Sequence, residues 1–141
     1  VRTTLLTGNN HKLFERLHGR YANIEVVGFT DRVYDYMAWA DLMLSKPGGI
    51  TLFETIFSEL PILAWEPFLQ QERENARFLT RCRIGRIAPK EPEACLEAIA
   101  RLLSDGPALE QMAGNMRRLK GQLEAQSLER LMTALTGKEV R

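Results

Sequence analysis

Short apolar segments alternate with segments of helical periodicity along most of this chain. Predicted strands lie at residues 3–8, 24–27, 42–45, 61–65 and 85–88, with a helical stripe after each of the first four, and from Glu91 onward the pattern is helical throughout. Strands that read as continuous apolar runs between helices are typical of a parallel sheet covered on both faces. The sequence therefore predicts an α/β fold with a doubly wound parallel sheet, ending in several helices.

Length and composition indicate one domain. The chain has 141 residues, of which 45% are hydrophobic and 26% are charged, the balance of a compact globular domain. A domain of this size buries roughly two-thirds of the surface that its unfolded chain exposes, so it needs no disulfide or structural metal. We predict a single domain over residues 1–141. Because Cys82 and Cys95 have no CxxC or Cys/His spacing, we expect reduced thiols, a cytoplasmic location and no metal site.

The charge pattern argues against a nucleic-acid partner. Nineteen basic residues stand against eighteen acidic ones, for a formal net charge of +1, and no segment gathers a run of Lys and Arg. The segment around Met112 and Met116 interleaves apolar with basic residues, and we interpret it as a core-facing stripe rather than a membrane surface. No apolar run approaches the roughly 18 residues that a membrane-spanning helix needs.

The segment after the third predicted strand is a candidate anion site. Lys46-Pro47-Gly48-Gly49 leads directly into a helix that includes Thr51. Glycines let a ligand approach the backbone, and free N–H groups at a helix start favour an anion such as a diphosphate, to which the Thr51 hydroxyl adds a donor. An ordinary turn with Thr51 as a helix cap fits the same residues equally well.

Two further polar features accompany this loop. Glu54 lies three residues after Thr51, near the same helix face, and its two oxygens suit the paired hydroxyls of a ribose better than a phosphate. The segment 67–76 enters a helix with clustered amides and carboxylates, including Gln71, Glu72 and Asn75, that suit sugar hydroxyls. An exposed helix glutamate and a solvated helix start explain the same residues without a ligand.

The order and spacing of these features resemble a glycosyltransferase family of the family 28 type. That family contains bacterial diacylglycerol glucosyltransferases, plant-type monogalactosyldiacylglycerol synthases and the peptidoglycan N-acetylglucosaminyltransferase. The resemblance runs from about Thr3 to Leu119, and its core consists of residues 28–30, 36–41, 45–54, 60–62 and 71–76. The Lys-Pro-Gly-Gly-x-Thr and Gln-Glu-x-Glu-Asn motifs are most similar to the glycolipid synthases.

The resemblance implies the Rossmann-like C-terminal lobe of a GT-B fold, which holds a UDP-sugar in the cleft between two lobes. It implies no metal and no cofactor, because the UDP-sugar is a substrate. Carried over by motif, the resemblance implies that the backbone of Phe29 and Thr30 pairs with uracil and that Glu54 binds the ribose. It implies that Gly48, Gly49 and Thr51 contact the diphosphate. It also implies that Gln71 and Glu72 contact the donor sugar and that Asn75 supports their loop.

Two departures from the family pattern limit what we expect of this chain. First, the Gly-rich phosphate loop that opens this lobe in the family is expected before Val1. Second, the sequence does not include the N-terminal lobe, which by resemblance supplies the acceptor site and the general base. We therefore assign no catalytic residue, and expect a fragment that does not turn over alone.

By resemblance, the full-length protein transfers a hexose from a UDP-sugar to a lipid acceptor such as diacylglycerol, in glycolipid synthesis for the cell envelope. A peripheral position on the inner face of the cell membrane follows only from that acceptor. Alternatives are N-acetylglucosamine transfer to a lipid-linked peptidoglycan precursor, a UDP-N-acetylglucosamine 2-epimerase-like isomerase, and a non-catalytic UDP-sugar-binding protein.

Overall fold

A computed structural model describes residues 1–65 and 67–136, with side chains described as far as Ser127. Strands and helices alternate along most of the chain, as the periodicity predicts. The elements are β1 Thr3–Leu6, α1 His11–Leu17, β2 Ile24–Val27, α2 Val33–Trp39, β3 Met43–Ser45, α3 Gly49–Ser58, β4 Ile62–Ala64, α4 Gln70–Arg81, β5 Gly85–Ile87, α5 Pro92–Leu103 and α6 Gly106–Thr136.

The chain forms two compact units, Val1–Trp39 and a second that begins at Ala40. In the first unit β1 and β2 pair in parallel, from Thr3 opposite Ile24 to Leu6 opposite Val27. Helix α1 connects them and begins where the side chain of Asn10 accepts a hydrogen bond of 3.1 Å from the Leu13 N–H. Asn10 is therefore the N-cap of α1.

The second unit is built on a parallel sheet in the order β3-β4-β5. Its central strand, β4, is buried along its whole length. Gly85 pairs with Ile62, and a methyl group on Gly85 would lie 2.4 Å from the Ile62 carbonyl oxygen. Strand β5 can approach β4 this closely only because residue 85 has no side chain.

Both faces of this second sheet are covered. One apolar cluster packs α3, α4 and α6 on the side of Ile62 and Ala64, and a separate cluster joins Leu63 to Cys95 of α5. Successive residues of β4 thus point to opposite faces. Parallel strands with helices on both faces confirm the predicted α/β class.

The region after Glu91, predicted to be helical, forms α5 and α6 within the described residues. The apolar residues at 109–119 and at 128–135 belong to the same helix, α6, which is 31 residues long. Gly114 and Gly121 lie inside it; an interior glycine weakens a helix by about 1 kcal/mol but, unlike proline, does not end it. Met112 and Met116 are buried, which confirms the core-facing stripe. The side chains of 128–135 lie outside the described residues.

No helix in the described ranges is both long and apolar enough to cross a bilayer. The prediction of a single domain over residues 1–141 stays a prediction.

Candidate functional site

In the part of the chain that the structure describes, no side chain caps the backbone N–H groups at the start of α3. Strand β3 ends at Ser45 and α3 begins at Gly49, with Gly48 in an extended conformation (φ −66°, ψ 158°) as its N-cap. Gly48 has no side chain to accept a hydrogen bond, and the first turn holds no acidic residue. The positive end of the helix dipole favours an anion at this point.

The start of α4 differs, because it already carries an anion. Oε2 of Glu72 accepts hydrogen bonds from the backbone N–H of Phe68 (2.8 Å) and of Leu69 (3.1 Å). Both bonds lower the pKa of Glu72, and the bond from Leu69 has the larger effect. Desolvation raises this pKa slightly, and the positive charge of Lys46 lowers it further. Of these two helix starts, only α3 is left for an external anion.

Helix α4 also holds the loop that leads into α3. Nδ2 of Asn75 donates a hydrogen bond of 2.8 Å to the carbonyl oxygen of Pro47, a residue that is itself fully buried. A methyl group on Gly49 would lie 3.6 Å from Nε2 of Gln71, so that side-chain amide lies beside the start of α3. Segments 45–54 and 70–81 therefore meet in space, and Asn75 supports the β3–α3 loop.

Thr51 and Glu54 occupy the first two turns of α3. The buried face of the helix consists of Leu52, Thr55 and Ile56, whereas Thr51 and Glu54 are half-buried at its margin. Oγ1 of Thr51 would lie 3.8 Å from a methyl group on Gly48, which places this hydroxyl at the helix start. Within the described ranges, neither side chain makes a hydrogen bond or an ion pair, so both polar groups are available to a ligand.

Phe29 and Thr30 lie in the first unit, between β2 and α2. The Thr30 hydroxyl accepts a hydrogen bond of 3.0 Å from the Arg32 N–H, and the Phe29 side chain is 72% exposed. In the part of the chain that the structure describes, neither residue makes a backbone–backbone hydrogen bond. Their N–H and C=O groups can therefore bind an external partner that offers both an acceptor and a donor.

Lys46 lies in the loop before α3, and no role for it was predicted from the sequence. It is exposed in the loop before α3, and its charge acts on the carboxylate of Glu72. The signal in the sequence was its position as the only basic residue in 45–54. Its cation adds positive potential near the start of α3.

Metal ligation has no candidate among the residues that the structure describes. No group of three or more His, Cys, Asp and Glu side chains is close enough to hold an ion there. Cys82, at the end of α4, and Cys95, in α5, are both free thiols. The expectation of a metal-free site stays a prediction.

Comparison with known proteins gives consistent matches. Residues 2–130 match the model of the glycosyltransferase family 28 C-terminal domain. The processive diacylglycerol beta-glucosyltransferase of Staphylococcus carnosus is 35% identical over 119 residues, 82% of this chain and 30% of the relative. The protein of the same name from Bacillus subtilis is 32% identical over 123 residues, 84% of this chain and 32% of the relative. The chain thus spans about a third of the length of these curated relatives.

Among solved structures, WaaG, a glycosyltransferase involved in lipopolysaccharide biosynthesis, matches with a TM-score of 0.68 and 25% identity. The match covers 96% of this chain and 38% of that chain. The structural neighbours are GT-B glycosyltransferases, which confirms the Rossmann-like α/β fold expected from the sequence.

Proposed function

The chain belongs to the family of glycosyltransferase family 28 C-terminal domains, and we propose that it is the UDP-sugar-binding part of a glycosyltransferase that transfers a hexose to a lipid acceptor such as diacylglycerol. The observation that carries the proposal is the start of α3, which has no side-chain cap within the described residues and lies beside the amide of Gln71. The names of the curated relatives support glucose as the hexose and diacylglycerol as the acceptor.

The diphosphate is proposed to bind at Gly48, Gly49 and Thr51. Two glycines leave the helix start open to the phosphate oxygens, and the Thr51 hydroxyl lies at the same end of the helix. When the bond between the sugar and UDP breaks, negative charge grows on the leaving diphosphate. Fixed N–H dipoles at this point stabilise that charge without having to reorganise, which lowers the barrier to transfer.

Glu54 is proposed to bind the ribose, because its half-buried carboxylate, one turn from the phosphate position, accepts two hydroxyl donors. The backbone of Phe29 and Thr30 is proposed to pair with uracil. That pairing is supported by the free N–H and C=O groups at these two residues, which complement the donor and acceptor edge of the base.

The donor sugar is proposed to contact Gln71 and Glu72. The amide of Gln71 lies beside Gly49, and Oε1 of Glu72 accepts no hydrogen bond within the described ranges while Oε2 caps α4. Asn75 is proposed to act by holding the loop at Pro47 rather than by touching the sugar through its Nδ2.

The chain matches about a third of the length of its relatives. We propose that the acceptor site and the general base lie in the part of the full-length protein that corresponds to the other two-thirds. By resemblance, that part binds the lipid acceptor. Because the acceptor is a lipid, we also propose that the full-length protein works at the cytoplasmic face of a membrane. No metal or cofactor is included in the proposal.

Calorimetric titration of the chain with UDP, UDP-glucose, UDP-galactose and UDP-N-acetylglucosamine tests the site. We expect UDP to bind and Glu54→Ala to weaken it by roughly 10-fold or more, the effect of losing a charged hydrogen bond. Glu97→Ala, which removes an exposed carboxylate on α5, is the matched control and leaves binding unchanged. Equal affinities for wild type and Glu54→Ala, or absence of UDP binding by the full-length protein, would show that this is not the donor site. The ranking of the sugars identifies the hexose.

A further inference from the structure

Thr7 is a buried polar residue in the first unit. It follows β1 directly, and only 9% of its surface is exposed. A buried hydroxyl group needs a hydrogen-bond partner, because leaving it unpaired costs free energy. The partner of Thr7 is a backbone carbonyl group at the end of β2, 20 residues later in the chain.

Two donors of Thr7 hold this one carbonyl group. The Thr7 N–H donates a hydrogen bond of 2.8 Å to the carbonyl oxygen of Val27, and the Thr7 hydroxyl donates a second bond of 3.2 Å to the same atom. The first bond continues the parallel pairing of β1 with β2, which the sheet provides without any side chain. The second bond comes from the side chain. Because a carbonyl oxygen has two lone pairs, the two bonds together fix the peptide group between Val27 and Gly28.

This peptide group begins the loop that presents Phe29 and Thr30. The loop packs on α1 at Gly28, where a methyl group would lie 3.9 Å from the ring of Phe14. At the other end of the loop, the Thr30 hydroxyl accepts a hydrogen bond of 3.0 Å from the Arg32 N–H. The loop is therefore held at both ends, while the backbone groups that are proposed to pair with uracil lie between the two fixed points.

We propose that Thr7 is a positioning residue that makes the donor site selective for the uracil base. The inference rests on the proposed pairing of uracil with the backbone of Phe29 and Thr30, and it adds how that pairing rejects another pyrimidine. Thr7 acts through the loop, since its own hydroxyl is already bonded to Val27.

The physical basis of the selection is the direction of the backbone groups in the loop. Uracil has an acceptor at O4, where cytosine has an amino donor. A loop that is held by the Thr7 hydroxyl presents its N–H and C=O groups in one arrangement, so cytosine leaves polar groups unpaired. A loop that can rotate at its first peptide group adapts to either base. Specificity is a difference between two affinities, and this difference shrinks when the loop is released.

Titration of the full-length protein with UDP and with CDP tests the role of Thr7. Thr7→Val and Thr7→Ala both remove the hydroxyl, with and without the branched shape of the side chain, whereas Thr7→Ser keeps it. Thr4→Val is the matched control, because Thr4 also lies on β1 and its hydroxyl bonds to Oε2 of Glu25 on β2, at 3.4 Å. This bond lies toward the opposite end of the two strands. Circular dichroism melts verify that each variant is folded.

We expect Thr7→Val and Thr7→Ala to lower the ratio of UDP affinity to CDP affinity about 5-fold, the effect of one lost hydrogen bond between neutral groups. Thr7→Ser and Thr4→Val should keep the ratio of wild type. Inorganic diphosphate, a probe without a base, should bind wild type and Thr7→Val equally, because its proposed site at Gly48 and Gly49 belongs to the second unit. A merely structural role of Thr7 would lower the melting temperature and leave the ratio unchanged.

The outcomes separate this inference from the proposed function. If wild type binds UDP but the ratio is the same in the hydroxyl-free variants, or falls equally in Thr4→Val, the role of Thr7 is overturned and the donor site stands. If wild type does not bind UDP, or binds CDP equally well, the uracil pairing itself is wrong and the role of Thr7 is overturned with it.

Discussion

The side-chain amide of Asn75 donates a hydrogen bond of 2.8 Å to the carbonyl oxygen of Pro47, 28 residues earlier in the chain. This bond joins the first turns of α4 to the loop that ends at the start of α3. Pro47 is fully buried, so its carbonyl group has little access to water as a substitute donor. Asn75 is thus a positioning residue for the proposed diphosphate loop.

Removing this bond is expected to affect both stability and binding. Asn75→Ala leaves the Pro47 carbonyl without its donor, at a cost of about 1–3 kcal/mol, and releases the loop that presents Gly48 and Gly49. Urea unfolding measures the first effect and UDP titration the second. Asn115→Ala is the matched control, because Asn115 makes an equivalent bond of 2.8 Å to the Arg83 carbonyl, away from the loop. Equal losses of UDP affinity in both variants would refute the positioning role.

Gly49→Ala separates helix stability from ligand access. Among the described residues, a methyl group there meets only the Gln71 amide, at an ordinary contact distance of 3.6 Å. The helix should therefore be as stable as before or more stable by up to about 1 kcal/mol. The same methyl group obstructs an anion at the helix start, and UDP should bind more weakly. Gly121→Ala, in open space on α6, should stabilise without affecting UDP. Unchanged UDP affinity in Gly49→Ala would exclude close approach of the diphosphate at this residue.

Gly85→Ala is expected to destabilise the second unit. Its new methyl group would lie 2.4 Å from the Ile62 carbonyl oxygen and 2.8 Å from Cγ2 of Ile62, both in the centre of the sheet. Strands β4 and β5 must separate to relieve the clash, at a cost of about 1–3 kcal/mol or more. The measurement is the urea midpoint relative to wild type and to Gly121→Ala. A midpoint equal to that of wild type would contradict the close pairing of β4 and β5.

The Glu72 cap predicts a specific pH dependence of stability. Hydrogen bonds from the Leu69 and Phe68 N–H groups lower the pKa of Glu72 in the folded state below its ordinary value of 4.5. A carboxylate with a lowered pKa stabilises the fold above the unfolded-state pKa, and this contribution is lost as pH falls through the folded-state pKa. The advantage of wild type over Glu72→Gln should therefore shrink as pH falls below about 4.5.

Urea unfolding between pH 7 and acid measures that difference. Glu124→Gln, at an exposed position on α6, is the control for removing a carboxylate away from the start of α4. A gap between wild type and Glu72→Gln that stays constant down to low pH would show that the carboxylate charge does not stabilise the start of α4.

Local sequence determined most of the secondary structure of this protein. The side chain of Asn10 begins α1 as its residue type predicts, and β2 spans Ile24–Val27 as the β-branched run indicates. Capping, glycine conformation and apolar periodicity act over a few residues, so the sequence shows them directly. The continuous apolar strands likewise determined the α/β class. Periodicity did not reveal that α6 continues through Gly121, since a single glycine is compatible with either outcome.

The roles of polar residues were decided by the tertiary structure. The sequence singled out Gln71, Glu72 and Asn75 as one polar group, but the fold gives them different tasks: Gln71 lies beside Gly49, Glu72 caps its own helix, and Asn75 holds Pro47. A hydrogen bond depends on the distance between two particular atoms, and here packing of α4 against the β3–α3 loop, not proximity in the sequence, sets that distance.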